Sequence, residues 1–197
     1  MTRTGTRRRE TKETSIEVSI DLDGSGSTDI STGIPFYDHM LDQLGRHGGF
    51  DLRVKAVGDL DIDTHHTVED VAIAVGEAFG DALGDKAGVR RFASGRYPLD
   101  EALVDVALDL SGRPWVEWHV PMPEVLPLGD PAFDPQLAEH AVTSFATAAG
   151  ITLHVELVRG RNVHPIIEAT FKGLARSLRD AVRVEDAAGV PSTKGVL

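Results

Sequence analysis

The sequence contains no cysteine among its 197 residues, which excludes disulfides, thiolate zinc sites, iron–sulfur clusters and cysteine nucleophiles. Basic residues are also scarce, because 20 lysines and arginines face 31 aspartates and glutamates, a formal charge of −11 at pH 7. Broad nucleic-acid binding needs a basic face, so no nucleic-acid partner is predicted. No apolar run approaches the ~18 residues of a membrane span, and residues 1–10 lack the apolar stretch of a secretion signal. We therefore expect a cytoplasmic protein without a membrane partner.

Histidine, by contrast, is abundant. The chain has eight histidines beside only two tyrosines and two tryptophans. Hydrophobic residues make up 41% and charged residues 26%, as in globular proteins with a buried core. In a cysteine-free globular chain, imidazole and carboxylate are the side chains that remain for a metal, and they suit manganese, zinc, iron or nickel.

One order of secondary structure is written twice along the chain. Alternating apolar and polar residues predict half-buried strands, and apolar residues at helical spacing predict helices. The sequence therefore predicts an α+β fold with an internal duplication of a strand-strand-helix-strand-helix unit, its sheets covered by helices on one face. The recognisable elements are strands at 16–24 and 104–112, helices at 38–44 and 136–149, strands at 52–57 and 152–157, and longer helices beginning near Thr64, a candidate N-cap, and near His164.

The duplication also sets the expected domain boundaries. Residues 1–10 are predicted to be a basic, mobile N-terminal arm, because arginines cluster there. Residues 11–95 then form the first half and 96–197 the second, docked as one compact unit. A segment rich in proline and glycine, 122–134, is an insertion in the second half.

The histidines recur at matching places in the two halves. His65 and Glu69 are four residues apart, and so are His164 and Glu168, which places each pair on one helix face. A lone histidine is more often a surface or core residue than a ligand, but repetition in both halves favours a metal centre. Adjacent histidines point about 100° apart on a helix and so serve two different sites. The candidate ligands are His39, His65, His66, Glu69, His140, His164 and Glu168.

Long motifs extend this pattern over nearly the whole chain, from residue 9 to residue 197. They are TKET at 11–14, FYDHMLDQL at 36–44, HHTVED at 65–70, PLDE at 98–101, DLSGRP at 109–114, EATFK at 168–172 and PSTKG at 191–195. On these residues the sequence resembles the imidazoleglycerol-phosphate dehydratase family of histidine biosynthesis. The resemblance implies removal of water from imidazole glycerol phosphate, a small phosphate substrate, to give imidazole acetol phosphate through a metal-bound imidazolate.

The resemblance further implies two Mn²⁺ ions for each active site, acting as Lewis acids and as a template. It also implies homo-oligomers, either trimers or twenty-four-subunit shells, with sites formed between subunits. One ion would be held by His39, His66, His164 and Glu168, and the other by His65, Glu69 and His140.

Two further roles follow from the same resemblance. Glu13 is the expected proton-transfer residue. An anionic phosphate is suited by guanidinium and ammonium groups, which act locally in spite of the acidic total charge. The expected phosphate-binding residues are Arg91, Arg113, Ser192 and Lys194, with Gln43 and Lys172 nearby.

The sequence departs from the family pattern at Pro165. The second half of the family carries a His-His pair, whereas this chain reads NVHP at 162–165. Proline has no donor atom for a metal, so the second manganese site, at His65, Glu69 and His140, lacks its fourth protein ligand. A proline in the first turn of a helix leaves the fold intact.

Three outcomes are compatible with this departure. A water fills the gap and the weakened site still supports dehydration; or the chain keeps the fold but is a low-activity or inactive member; or it does other work, as a metal-dependent enzyme of a related phosphate or a non-enzymatic metal-binding shell. A two-metal site with a phosphate pocket also fits a phosphoesterase, which would release inorganic phosphate.

Overall fold

A computed structural model describes residues 3–123, 126–185, 189–195 and 197. Its elements follow one order twice: three strands, a helix, a strand and a helix. The first half contains β1 (Thr4–Glu10), β2 (Thr14–Asp21), β3 (Thr28–Ser31), α1 (Pro35–Gly48), β4 (Asp51–Gly58) and α2 (His65–Leu83). The second half contains β5 (Phe92–Leu99), β6 (Ala102–Asp109), β7 (Trp115–His119), α3 (Gln136–Ala148), β8 (Thr152–Arg159) and α4 (Val163–Ala181).

Each half forms a four-stranded sheet, and the two sheets share one topology. The strand orders are β1-β2-β4-β3 and β5-β6-β8-β7. The first three strands of each sheet pair antiparallel, with Val18 opposite Val54 in one sheet and Val106 opposite Val155 in the other. The fourth strand pairs parallel to its neighbour, and α1 and α3 supply the crossover that a parallel pair requires.

The four helices cover the inner faces of the sheets and join the two halves. Burial alternates along β2 and β6, so that one face of each sheet is buried and the other is exposed. Helix α1 packs against α4, and α2 packs against α3, so each of these two contacts joins one helix from the first half to one from the second. These features confirm the predicted α+β duplication with helices on one face of each sheet.

A close approach of backbones fixes the spacing of α2 and α3. A Cβ atom on Gly76 would lie 2.5 Å from the carbonyl oxygen of Phe145, so glycine is needed where these helices meet. One turn away, the rings of Phe79 and Phe145 pack edge to face with centroids 5.6 Å apart. The contact between the halves is therefore a tight part of the core.

The structure corrects three details of the sequence prediction. Residues 4–10 are not a mobile arm: they form β1, which pairs with β2 along its whole length, and Gly5 lies against the backbone of Ala78 in α2. Each half has a third strand before its first helix, β3 or β7. The boundary at 95/96 divides β5, so the second half begins with that strand at Phe92.

The proline-rich insertion is anchored to the helices where the structure describes it, at 122–123 and 126–134. Phe133 is fully buried, with its ring centroid 5.2 Å from Phe36 and 6.0 Å from Tyr37. The hydroxyl of Thr64 donates a hydrogen bond to the carbonyl of Ala132 rather than to the first turn of α2, so Thr64 precedes α2 without the side-chain cap expected of it. In the described residues, every helix is too short or too polar to cross a membrane.

Candidate metal and phosphate sites

The contact between α1 and α4 brings three predicted ligands together. These three residues, His39, His164 and Glu168, are called the His39 cluster below. Glu168 Oε2 lies 3.1 Å from His164 Nε2 and 3.5 Å from His39 Nε2, so both rings converge on one carboxylate. Burial opposes ionisation of Glu168, but the ammonium of Lys172, 2.7 Å away, together with His164 and His39, holds its pKa below the ordinary value.

The contact between α2 and α3 forms a second group in the equivalent place. It contains His65, Glu69 and His140 and is called the His65 cluster. Glu69 contacts both rings, at 4.0 Å from His65 Nε2 and 3.4 Å from His140 Nε2, and the two ring centroids are 4.5 Å apart. A cavity of about 830 Å³, walled by the 127–134 segment, opens beside this cluster.

The donor atoms of both clusters fit a divalent transition metal. In each cluster the three candidate ligand atoms lie within 4.8 Å of one another. His140 Nε2 is buried and has no hydrogen-bond partner among the described residues, a costly arrangement for a polar atom unless it has another ligand. Imidazole nitrogen and carboxylate oxygen are ligands that manganese, iron and zinc accept.

His66 stands apart from both clusters, in a third group. Its Nδ1 lies 3.0 Å from Asp59 Oδ2 and 3.8 Å from Glu13 Oε2. The hydrogen bond to Asp59 raises the pKa of His66 and leaves Nε2 as the nitrogen available for a metal. The structure thus places the predicted proton-transfer residue beside a predicted ligand, but it does not bring His66 to the His39 cluster within one chain.

Sequence reasoning missed Asp59 because this residue lies in the loop between β4 and α2, where no periodicity marks it. Its only signal is a carboxylate placed seven residues before a histidine. Carboxylates that accept the second ring N–H of a ligating histidine are common around metals, and Asp59 has that geometry towards His66.

The predicted phosphate-binding residues fall into two places. Arg91, Arg113, Ser192 and Lys194 line one cavity of about 500 Å³. Asp109 binds one of these residues, Arg91, through two hydrogen bonds, of 2.6 and 2.9 Å, and raises the pKa of that guanidinium. Arg91 is therefore held in place by a carboxylate, and its charge is partly neutralised.

Gln43 and Lys172 lie at the His39 cluster instead of this cavity. Gln43 bridges the rings of His39 and His47, at 3.3 and 3.2 Å, and Lys172 pairs with Glu168. Burial and the nearby cations Lys172 and Arg176 lower the pKa of His47. These residues therefore surround the candidate metal ligands within this chain.

Glu101, the second-half counterpart of Glu13, makes different contacts. Glu101 Oε1 accepts backbone hydrogen bonds from Asn162 at 2.8 Å and from Arg161 at 3.2 Å. These contacts hold the loop that leads into α4, where Asn162 in turn accepts a hydrogen bond from the backbone N–H of His164. The two related glutamates have thus diverged, one beside a histidine and the other bound to backbone.

Replacing Glu101 by glutamine should lower Tm at pH 7. The backbone N–H groups of Asn162 and Arg161, with that of Glu101 itself, lower the pKa of this carboxylate below its usual 4.5. A lowered pKa adds stability above the ordinary value, and this is lost as the pH falls through the folded-state value. Thermal melts of both proteins should therefore converge in acid. Glu10→Gln, an exposed carboxylate of β1, is the control, and a Tm gap that persists unchanged at pH 3 would contradict the assignment.

Comparison with known proteins gives the sites a context. The sequence model of the imidazoleglycerol-phosphate dehydratase family matches residues 32–178, three quarters of the chain and both candidate clusters. The chain belongs to the imidazoleglycerol-phosphate dehydratase family. Proteins of that name from Acidothermus cellulolyticus and Streptomyces coelicolor are 56% and 54% identical to it over 196 and 199 residues. These alignments cover 99% and 100% of this chain and 93% and 100% of the relatives.

Solved structures of imidazoleglycerol-phosphate dehydratases share the fold. The crystal structure from Staphylococcus aureus superposes with a TM-score of 0.82 at 31% identity, covering 92% of this chain and 99% of that one. The structure from Pyrococcus furiosus, in complex with (S)-C348, gives a TM-score of 0.80 at 36% identity and covers 97% of this chain and 100% of that one. The duplicated α+β architecture is therefore that of the imidazoleglycerol-phosphate dehydratases.

Proposed function

We propose that this chain dehydrates imidazole glycerol phosphate to imidazole acetol phosphate in histidine biosynthesis, as a manganese-dependent hydro-lyase. The observation that carries the proposal is the convergence of predicted ligands from opposite halves: His39 meets His164 and Glu168, and His140 meets His65 and Glu69. The fold alone does not require two such clusters of imidazole and carboxylate groups, whereas metal binding does.

The residues divide the work of the reaction. The His39 and His65 clusters would hold Mn²⁺, which supplies Lewis acidity towards the imidazole ring of the substrate when bound. Glu13 moves a proton at the reacting carbons, since its carboxylate is exposed and lies beside His66. The cavity at Arg91, Arg113, Ser192 and Lys194 binds the phosphate, because cationic and hydroxyl donors converge there.

A second copy of the chain completes the site in this proposal. His66 is assigned to the same metal as the His39 cluster, yet within one chain it bonds to Asp59 in a separate group. A neighbouring subunit that supplies His66 and Glu13 together would resolve this separation, and a closed homo-oligomer would repeat the contact. We propose a trimer or a twenty-four-subunit shell of this kind, located in the cytoplasm.

The direct test is turnover by purified protein with added Mn²⁺. We expect imidazole acetol phosphate to form, a chelator to abolish turnover, and Mn²⁺ to restore it. Inorganic phosphate is measured in the same reaction, because its release would indicate a phosphoesterase. No dehydration at any metal concentration would reject the proposed activity and leave the inactive, metal-impaired member of the family or the non-enzymatic metal-binding shell.

Pro165 should weaken metal binding at the His65 cluster. It is buried in the first turn of α4, and its ring has no donor atom. Titration with Mn²⁺ should show one tight and one weak or absent site for each chain, and Pro165→His should tighten the weak site. Pro165→Ala, which changes the backbone without adding a ligand, is the control. Two equally tight sites in the unaltered chain would show that Pro165 has no effect on binding.

Turnover assays of the unaltered chain and of Pro165→His separate the active enzyme from its metal-impaired alternative. A chain that turns over only after Pro165→His is a member of the family that has lost its second metal. A chain that turns over before the change tolerates the missing ligand.

A further inference from the structure

A chain of hydrogen bonds connects the backbone of Glu13 to a buried carboxylate on α2. The N–H of Glu13 donates to Thr11 Oγ1 over 3.1 Å, and the N–H of Thr14 donates to the same atom over 3.0 Å. The hydroxyls of Thr11 and Thr14 are 3.1 Å apart, and Thr14 Oγ1 donates to Asp70 Oδ2 over 2.5 Å. Thr14 is 4% exposed and Asp70 7%, so the end of this chain at α2 is shielded from water.

The donor and acceptor roles along this chain are fixed by Asp70. An ionised carboxylate only accepts, so Thr14 must use its single hydroxyl proton on Asp70. Thr14 Oγ1 therefore accepts from Thr11, whose two lone pairs receive the backbone N–H groups of Glu13 and Thr14. All of these hydrogen bonds therefore point the same way, from the backbone N–H groups through Thr11 and Thr14 to Asp70. Hydrogen bonds arranged in this way polarise and strengthen one another.

Asp70 is itself held firmly. Arg9 of β1 binds its Oδ1 through both Nε and Nη2, each at 2.8 Å. Helix α2 also carries Glu69 directly before Asp70 and His66 four residues before it. Helix α2 therefore positions both residues of this pair. It carries the candidate ligand His66 directly, and it holds the backbone of Glu13 through Asp70 and the two threonines.

We propose that Asp70 is a positioning residue, which acts through Thr14 and Thr11 to set the carboxylate of Glu13 against His66. The inference rests on the proposed proton-transfer role of Glu13. Glu13 is exposed and ends a turn between β1 and β2, so its own packing cannot fix it. A displacement of about 1 Å can cost a reaction on the order of 10²-fold, so the anchor has a direct effect on rate.

Thr14→Val is the variant that tests this inference. Valine has the shape of threonine but no hydroxyl, so it breaks the chain between Thr11 and Asp70 without leaving a cavity. We expect kcat to fall about 10-fold or more, with KM and Mn²⁺ affinity unchanged, because the site loses only the placement of Glu13. Thr14→Ser, which keeps the hydroxyl, should recover most of the rate.

Thr67→Val is the matched control. Thr67 is also a buried threonine, on α2, and its hydroxyl has no hydrogen-bond partner in the described part of the chain. Its removal should leave kcat within about twofold. If Thr14→Val lowers Tm but, like Thr67→Val, leaves kcat within about twofold, the threonines serve stability alone and the proposal is wrong.

A second readout decides the question without turnover. Amide hydrogen exchange of the peptide that covers 11–14 should rise about 10-fold or more in Thr14→Val and remain slow in Thr14→Ser. Unchanged exchange in Thr14→Val would overturn the proposed anchor. If the unaltered protein shows no dehydration, the proposed function fails, and this exchange result still accepts or rejects the positioning of Glu13.

Discussion

Glu13→Gln should lower kcat by about 10²–10⁴-fold, the usual contribution of a side chain that transfers a proton in the transition state. Glutamine keeps the size of the side chain and can still accept a hydrogen bond, but it neither takes up nor releases a proton near neutral pH. Because Glu13 lies beside His66 without belonging to the His39 or His65 cluster, Mn²⁺ affinity should stay unchanged. Steady-state kinetics with a parallel metal titration measures both quantities.

The matched control for this variant is Glu17→Gln. Glu17 is an exposed carboxylate on β2, the strand that follows Glu13, and it has no part in the proposed site. Its replacement should leave kcat within about twofold. A decrease of less than threefold in Glu13→Gln would show that another group moves the proton.

His66→Ala and Glu168→Ala should each abolish turnover, and oligomers that mix the two should regain about a third of it in a trimer and about a quarter in a large shell. The reason is geometric. His66 and the His39 cluster are separate within one chain, so we assign them to different subunits at each site. In a mixed oligomer, a site is intact when the His66→Ala subunit supplies its His39 cluster and the Glu168→Ala subunit supplies its His66.

Co-expression with two affinity tags, followed by sequential purification, isolates the mixed oligomers for this experiment. The control is the mixture of His164→Ala with Glu168→Ala, because both changes fall in one cluster and every site then lacks a ligand. Mixed oligomers of His66→Ala and Glu168→Ala that stay inactive would mean that each site draws all its ligands from one chain.

The strands that sequence patterning predicted are the central ones. β2, β4, β6 and β8 are the interior strands of the two sheets, and their buried faces produce clear alternation, as in residues 14–21. The strands that the patterning did not locate are the four edges, β1, β3, β5 and β7, although the predicted unit counted one of the two edge strands in each half. Edge strands are short or polar, since they meet solvent on one side, and β5 even contains Gly95 and Pro98. Their pairing is set by the neighbouring strand rather than by their own sequence.

The candidate ligands were predictable for a different reason. Spacing of four residues joins His164 to Glu168 on one helix, and the duplication indicates which residues of the other half correspond. Spacing cannot reveal which helices meet, so the grouping of the ligands into two sets rested on the family resemblance. The packing of α1 against α4 and of α2 against α3 is seen in the structure. Asp70 was hidden in the same way, because its contacts with Arg9 and Thr14 span 61 and 56 residues.

The crossed pairing of helices also bears on the origin of the chain. If the halves were separate and identical, two copies docked about a twofold axis would form the α1–α4 and α2–α3 contacts as one interface seen twice. Both clusters would then be copies of each other, and any substitution would alter both at once. Joining the copies in one polypeptide removes that constraint. In the second half Pro165 stands where the first half has His66, and Glu101 is bound to backbone where Glu13 faces a histidine. A symmetric pair of half-length chains could not acquire these asymmetries.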